Sequence, residues 1–113
     1  MIDKALKDTF GEYIRKLRKE NNLTLTQLAA KLGIDSANLS KIENGKRDFD
    51  EKKLFLLAQE FNLDMDHLKT EFYSEQIAKK IYNVNCSDQV LILAESKIKY
   101  LREKNSNQGE LIF

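Results

Sequence analysis

The side chains best suited to chemistry in this sequence lie between residues 36 and 41. Lys41 can donate to guanine O6 and N7, Asn38 can pair bidentately with adenine, and the Ala37 methyl group can contact a thymine methyl group. Each of these contacts reads a base edge in the major groove of DNA. The candidate base-contacting residues are Ser36, Ala37, Asn38, Ser40 and Lys41.

A second set of donors suits the phosphate backbone. Asn44, Lys46 and Arg47 follow the base-reading segment and have no apolar anchor between them. Thr24 and Thr26 lie at the start of an earlier predicted helix, where backbone N–H groups also favour an anion. We expect these five residues to contact phosphate, which would make the affinity sensitive to salt.

Two short helices must position these side chains. Apolar residues at three- and four-residue spacing predict a helix over 25–32, which Thr24 is placed to cap. Gly33 follows as the turn residue, and Asp35 or Ser36 can cap a second helix. Two helices joined by a short turn that contains Gly describe a helix-turn-helix.

The pattern then becomes specific enough to resemble a family. Its parts are Leu28-Ala29, then Gly33-Ile34, then Leu39-Ser40-Lys41-Ile42-Glu43-Asn44-Gly45-Lys46. This order resembles the helix-turn-helix of the Cro/CI repressors, also called the xenobiotic-response-element (XRE) family, over residues 8–69. The resemblance implies a DNA-binding transcriptional regulator. The alternative is a helical hairpin that binds only protein.

The resemblance also assigns a role to Arg18. In the family, an Arg at this place pairs with the Glu that ends the recognition helix while it reaches a phosphate, and the partner here would be Glu43. The simpler alternative is an interhelix ion pair that contributes about 1 kcal/mol or less. Leu25 departs from the family, which commonly has a phosphate-binding Gln there, so Leu25 either leaves that contact to its neighbours or packs inward.

Composition favours an all-α protein. The 113 residues include no Pro and only four Gly, with 42% hydrophobic and 33% charged residues. The net charge is +1, but ten Lys/Arg against six Asp/Glu give residues 1–47 a charge of +4, and nine against twelve give residues 48–113 a charge of −3. A basic half joined to an acidic half suits a DNA-binding domain that carries a different module.

Several classes of function find no support in the sequence. Cys86 and His67 are the only residues of their types, which leaves no disulfide and no clustered metal ligands. We find no catalytic arrangement, and we expect neither enzymatic activity nor a cofactor. No membrane-length apolar run or signal peptide is evident, so we expect a cytoplasmic protein.

Four further helices complete the prediction. A capping box of Thr9 and Glu12 starts the first helix, which ends near Asn21-Asn22 and could begin earlier through Ile2 and Leu6. The others are predicted over about 51–61, 65–83 and 88–104. The predicted fold is therefore a five-helix repressor-like DNA-binding domain (1–69), a helical dimerisation extension (70–104) and a flexible tail (105–113).

The last two helices carry more apolar surface than a small domain can cover. Leu91, Ala94, Ile98 and Leu101 follow a coiled-coil spacing. We expect a homodimer, because a two-fold pair reads two half-sites about one helical turn apart. The predicted interface residues are Phe72, Ile77, Ile81, Leu91, Ala94, Ile98 and Leu101. The alternative is that the sixth helix folds back and completes a monomer core.

These features predict a homodimeric regulator that binds a palindromic operator, such as a restriction-modification controller or a phage-type repressor. The alternative from another class is an antitoxin, whose C-terminal helices would cover a second protein. The tail ends in Leu111-Ile112-Phe113, within a hexapeptide that loosely resembles the peptide that docks on bacterial sliding clamps. A frayed terminus, or one that lies on the dimer, is the alternative that we favour.

Overall fold

The computed structural model describes residues 8–108, with the side chains of 106–108 excepted. Its α-helices are α1 (Phe10–Glu20), α2 (Leu25–Leu32), α3 (Ser36–Glu43), α4 (Leu54–Phe61), α5 (Met65–Val84) and α6 (Gln89–Gln108), and a 3₁₀ turn, Glu51–Lys53, precedes α4. Residues 8–108 contain no strand, so the predicted all-α fold is confirmed. No helix within this range is long and apolar enough to span a bilayer.

The chain forms two compact units, the first ending at Ile77 and the second beginning at Ala78. The sequence analysis placed the domain boundary earlier, after residue 69. The difference arises because α5 continues to pack in the first unit beyond that point. There, the Phe72 ring meets the Phe10 ring edge-on, and the Glu75 carboxylate accepts a hydrogen bond from the Phe10 backbone N–H at 2.8 Å.

The core of the first unit draws apolar side chains from α1 to α5. Its largest fully buried side chains are Ile14, Leu28, Leu32, Leu39, Leu54, Leu57 and Leu68. Burying a side chain of this kind contributes about 1.5–3 kcal/mol. Every helix of the first unit contributes at least one of these anchors, which fixes α3 against the rest of the unit.

Phe72 belongs to this core and corrects the predicted interface. Its side chain is only 4% exposed, and its ring lies 5.2 Å from that of Phe10. Phe49, which sequence periodicity did not place in a helix, joins the same cluster with its ring 5.9 Å from Phe10. An aromatic ring buried inside the first unit offers no surface to a second chain.

α1 and α3 cross at Gly11, where their backbones come close together. A Cβ atom on Gly11 would lie well inside van der Waals contact of the Ile42 carbonyl oxygen. Gly11 is therefore required for its lack of a side chain, even though it sits in the first turn of a helix, where glycine is otherwise unfavourable.

The remaining differences from prediction concern helix ends. α6 continues to Gln108, so residues 105–108 are helical and do not belong to a tail. The reason is local, because the first glycine or proline after Lys104 is Gly109. The predicted extension through Ile2 and Leu6 and the Leu111-Ile112-Phe113 tail lie outside the described residues.

Candidate nucleic-acid interface

Local capping fixes the position of α3. Gly33 adopts a left-handed conformation with φ of +69° and ends α2, and its backbone N–H donates to Ala29 and Ala30. The Asp35 carboxylate then caps α3 by accepting from the Asn38 backbone N–H at 2.6 Å. Leu39 and Ile42 face the core. Caps at one end and two buried anchors leave the opposite side of α3 facing outward.

The outward side of α3 carries the predicted base-contacting residues together. Ala37 and Lys41 are exposed, whereas Ser36, Asn38 and Ser40 are half-buried. Within residues 8–108, no hydrogen bond or ion pair engages the Lys41 ammonium. This charged donor is therefore available to a ligand that approaches α3 from outside.

Asn38 has a partner that sequence analysis did not predict. Arg47 Nη1 donates to Asn38 Oδ1 at 2.7 Å. Arg47 therefore contacts α3 itself. Asn38 and Arg47 are nine residues apart and lie on either side of the end of α3, so helical spacing in the sequence does not predict their contact.

Arg18 and Glu43 form a bidentate ion pair between α1 and the end of α3. Arg18 Nε donates to Glu43 Oε2 at 2.8 Å and Nη2 donates to Oε1 at 3.0 Å, while Nη1 donates to the Leu23 carbonyl oxygen at 3.0 Å. The side chains are 11% and 4% exposed. The hydrogen bond to Glu43 raises the pKa of the Arg18 guanidinium above its ordinary value.

This arrangement defines what the ion pair can do. Every guanidinium nitrogen of Arg18 already donates to protein, so the pair primarily ties α1 to α3 and neutralises the Glu43 carboxylate at the end of α3. A phosphate contact by Arg18 stays a prediction, and it would have to use the remaining N–H directions of the fork.

The N-terminus of α2 is a second candidate anion site. Thr24 Oγ1 accepts from the Gln27 backbone N–H at 3.1 Å, and the Gln27 side chain accepts from the Thr24 backbone N–H at 2.8 Å. Thr24 and Thr26 are exposed, whereas Leu25 is partly buried against the core. Of the alternatives stated above for Leu25, inward packing is the one observed.

The reciprocal capping box with Gln27 was missed in the sequence analysis. The signal was present, because a Thr followed three residues later by Gln is the pattern of such a box. Since the Gln27 oxygen is engaged, its amide N–H₂ group remains as a donor on an exposed side chain. Gln27 therefore joins the candidate phosphate contacts.

The loop after α3 presents the remaining phosphate candidates. Gly45 is left-handed with φ of +76°, and nothing lies within 4 Å of the position that a Cβ atom would take there. Asn44 Nδ2 donates a hydrogen bond to the Ser40 carbonyl oxygen at 2.9 Å, and this bond uses one of the two amide hydrogens of Asn44. Lys46 and Arg47 are exposed.

The apolar residues predicted for a dimer interface lie mainly in the second unit. Leu91, Ile98 and Leu101 are between 36% and 48% exposed, and Ala94 is also exposed. Ile77, the last residue of the first unit, is exposed, and Ile81 in the second unit is half-buried. Apart from Phe72, these side chains are at least partly accessible in the single chain.

The described residues offer no site for metal chemistry. Residues 8–108 contain no group of three or more His, Cys, Asp or Glu side chains that could hold a metal ion. The thiol of Cys86 is exposed and unpaired.

Comparison with known proteins places this geometry in a family. The family model described as Helix-turn-helix matches residues 14–68. The uncharacterized HTH-type transcriptional regulator YqaE of Bacillus subtilis is 32% identical over 78 residues, which cover 66% of this chain and 67% of YqaE. This chain belongs to the helix-turn-helix family of transcriptional regulators. The resemblance to XRE-type regulators is thereby confirmed.

Two other relatives match shorter segments. The HTH-type transcriptional repressor RghR of Bacillus subtilis is 52% identical over 40 residues, which cover 35% of this chain and 30% of RghR. The ImmF control region 10 kDa protein of Bacillus phage phi105 is 41% identical over 59 residues, which cover 52% of this chain and 66% of the phage protein. The likeness to RghR thus spans less than a third of that repressor's length.

Proposed function

We propose that this helix-turn-helix regulator binds a palindromic operator as a homodimer and reads its sequence with the outer face of α3. The observation that carries the proposal is the segregation of side chains on that helix. Leu39 and Ile42 are buried, while Lys41 is exposed and without a protein partner among residues 8–108. A helix of this kind suits the major groove, where amide and ammonium donors distinguish base pairs.

Exposed apolar surface on α6 supports the homodimer. Seven large apolar side chains of this helix are between 36% and 63% exposed: Val90, Leu91, Ile92, Leu93, Ile98, Tyr100 and Leu101. A helix in water gains most of its stability by burying such a face, and α6 gains little in the single chain. A second copy provides an identical face, and a two-fold pair of α3 helices would read two half-sites.

The similarity to the phage phi105 protein supports one kind of regulator over another. Of the two kinds predicted from the sequence, a restriction-modification controller and a phage-type repressor, the match to the ImmF control region 10 kDa protein of a Bacillus phage favours the second. Activity would then follow protein concentration through the dimer equilibrium.

The decisive experiment measures binding of the purified chain to selected and random duplex DNA across a salt series, with the mass of the free protein and of the complex. We expect two chains on a palindromic site, with a preference for selected DNA of about a thousandfold or more. Equal affinity for selected and random DNA would reject sequence-specific reading.

Lys41→Ala tests the base-reading role directly. Loss of this donor should reduce discrimination at one operator base pair by about 1–3 kcal/mol. Affinity for random duplex should change much less. Equal losses on operator and random duplex would show that Lys41 contacts only phosphate.

The dimer is tested separately by Leu91→Glu combined with Ile98→Glu. Charges at two exposed apolar positions of α6 should leave the first unit folded and yield a monomer with weak operator binding. Phe55→Glu is the matched control, because Phe55 is 59% exposed but lies on α4. If the Leu91→Glu/Ile98→Glu variant is still a dimer, α6 does not form the interface.

A partner-binding protein such as an antitoxin is the second candidate, and the same α6 surface is the observation that favours it. An isolated antitoxin would be monomeric or prone to aggregate, whereas the homodimer should dissociate reversibly on dilution. Analytical ultracentrifugation over a concentration series separates the two candidates.

A further inference from the structure

The hydrogen bond between Arg47 and Asn38 joins a loop cation to a base-contacting amide. Arg47 follows the end of α3, and its Nη1 lies 2.7 Å from Asn38 Oδ1 in the first turn of that helix. Five residues of α-helix between positions 38 and 43 span roughly 7.5 Å. The Arg47 guanidinium therefore reaches back from beyond the end of α3 to its first turn.

The two ends of the Asn38 amide are chemically different, and Arg47 selects between them. A guanidinium group only donates hydrogen bonds, so it pairs with the amide oxygen and repels the N–H₂ group. The Asn38 backbone N–H is already engaged by the Asp35 carboxylate at 2.6 Å. Both the backbone and the side-chain oxygen of Asn38 are thus held by protein groups.

The N–H₂ group of Asn38 is left for a ligand. Among residues 8–108, no acceptor lies within hydrogen-bonding distance of Asn38 Nδ2. Bidentate pairing with adenine needs the oxygen to accept and the N–H₂ group to donate at the same time. Arg47 takes one of the two lone pairs of the amide oxygen, so adenine would have to reach the other lone pair and the N–H₂ group together. Guanine needs only the N–H₂ donor, because it offers two adjacent acceptors, O6 and N7, in the major groove.

We propose that Arg47 is a positioning residue for sequence recognition. It fixes the Asn38 amide so that the N–H₂ group reads an acceptor-bearing base edge, with guanine favoured over adenine. Arg47 thereby affects sequence preference as well as phosphate affinity. This inference rests on the proposed function, because it requires α3 to read base edges.

The test compares Arg47→Ala with Lys46→Ala on the selected operator and on operators with each base pair changed. Both variants lose one loop cation in each protomer, so both should reduce the slope of log affinity against log salt by about one per half-site, or about two for the dimer. Only Arg47→Ala should also reduce discrimination at a single base pair, by about three- to tenfold, which is the effect of losing one hydrogen bond.

Asn38→Ala identifies that base pair. If Arg47 acts through Asn38, both variants lose discrimination at the same position, and Arg47→Ala combined with Asn38→Ala loses no more there than Asn38→Ala alone. Arg47→Lys should restore the salt slope but only part of the discrimination, because an ammonium group on a flexible stem orients the amide less firmly.

A measurement without DNA checks the contact itself. The side-chain amide NMR signals of Asn38 should shift in Arg47→Ala and stay unchanged in Lys46→Ala. The inference is overturned if Arg47→Ala preserves wild-type discrimination at every base pair, or loses it only where Asn38→Ala has no effect. Wild-type protein that binds selected and random DNA equally would instead reject the proposed function, and this inference with it.

Discussion

Replacing Arg18 by Met tests whether the Arg18–Glu43 pair is a structural tie or an ordinary surface ion pair. Methionine preserves most of the aliphatic stem but removes all three hydrogen bonds that the guanidinium donates, two to Glu43 and one to the Leu23 carbonyl oxygen. The Glu43 side chain, which is only 4% exposed, then becomes a carboxylate without its cation.

The burial of the pair determines the magnitude. Exposed ion pairs contribute about 0–1 kcal/mol, whereas removing one partner of a buried pair costs about 3–5 kcal/mol. Because water still reaches part of Arg18, which is 11% exposed, we take the lower end of the second range. A loss of about 3 kcal/mol with an m-value of about 1.5 kcal/mol/M lowers the urea midpoint by about 2 M.

Urea unfolding followed by circular dichroism is the assay, and two further variants make it decisive. Lys16→Ala is the matched control on the same helix, since the Lys16–Asp8 pair is 3.6 Å long and its side chains are 56% and 21% exposed. It should cost less than about 1 kcal/mol. Arg18→Met with Glu43→Leu removes both charges, and its stability should return to within about 1 kcal/mol of wild type.

The reasoning fails if Arg18→Met costs no more than Lys16→Ala, or if the double variant is no more stable than Arg18→Met alone. The double variant also tests the phosphate contact predicted for Arg18, because its net charge equals that of the wild type. If the guanidinium contacts phosphate, the slope of log affinity against log salt falls by about one per half-site, or about two for the dimer.

Three further predictions concern the first unit and use the same unfolding assay. Gly11→Ala should cost about 2 kcal/mol or more by forcing a methyl group into the Ile42 carbonyl oxygen, and a stable variant would mean that the helices separate freely. Gly33→Ala should cost about 1 kcal/mol because alanine disfavours the positive φ of this position, and Gly33→Asn should recover part of that loss. Equal stability of the wild type and Gly33→Ala would mean that φ is not positive in solution. The hydrogen bond that the Tyr73 phenol donates to Glu51 raises the pKa of Tyr73 above 10. The stability from this bond is therefore present below pH 10 and is lost as the pH rises through the folded-state pKa of Tyr73. Tyr73→Phe should remove this loss of stability at alkaline pH, and a pH profile that matches the wild type would show that the bond does not contribute.

Local chemistry made the central helices predictable. The sequence predicts a helix over 25–32, and the observed α2 spans Leu25–Leu32. Its limits are encoded by neighbours in sequence, since Thr24 caps the start and Gly33 takes the left-handed conformation at the end. The start of α3 follows from Asp35 in the same way. These signals need no knowledge of the rest of the chain.

The sequence was enough to predict which residues form the candidate site, but not which hydrogen bonds they make with one another. Residue types and helical spacing were enough to bring Asn38 and Lys41 to one outward surface. Which of them is engaged depends on side chains from elsewhere. Arg47 reaches Asn38 from beyond the helix end, whereas Lys41 has no partner among residues 8–108.

The sequence by itself determined the helical class, the helix-turn-helix and the donors that face outward, because caps, turns and periodic apolar positions act over a few residues. Only the tertiary structure decided that Phe72 is buried, that Gly11 lets α1 and α3 approach, and that Glu75 caps α1 from 65 residues away. These contacts depend on where separate helices meet in space, and no spacing along one helix encodes that meeting.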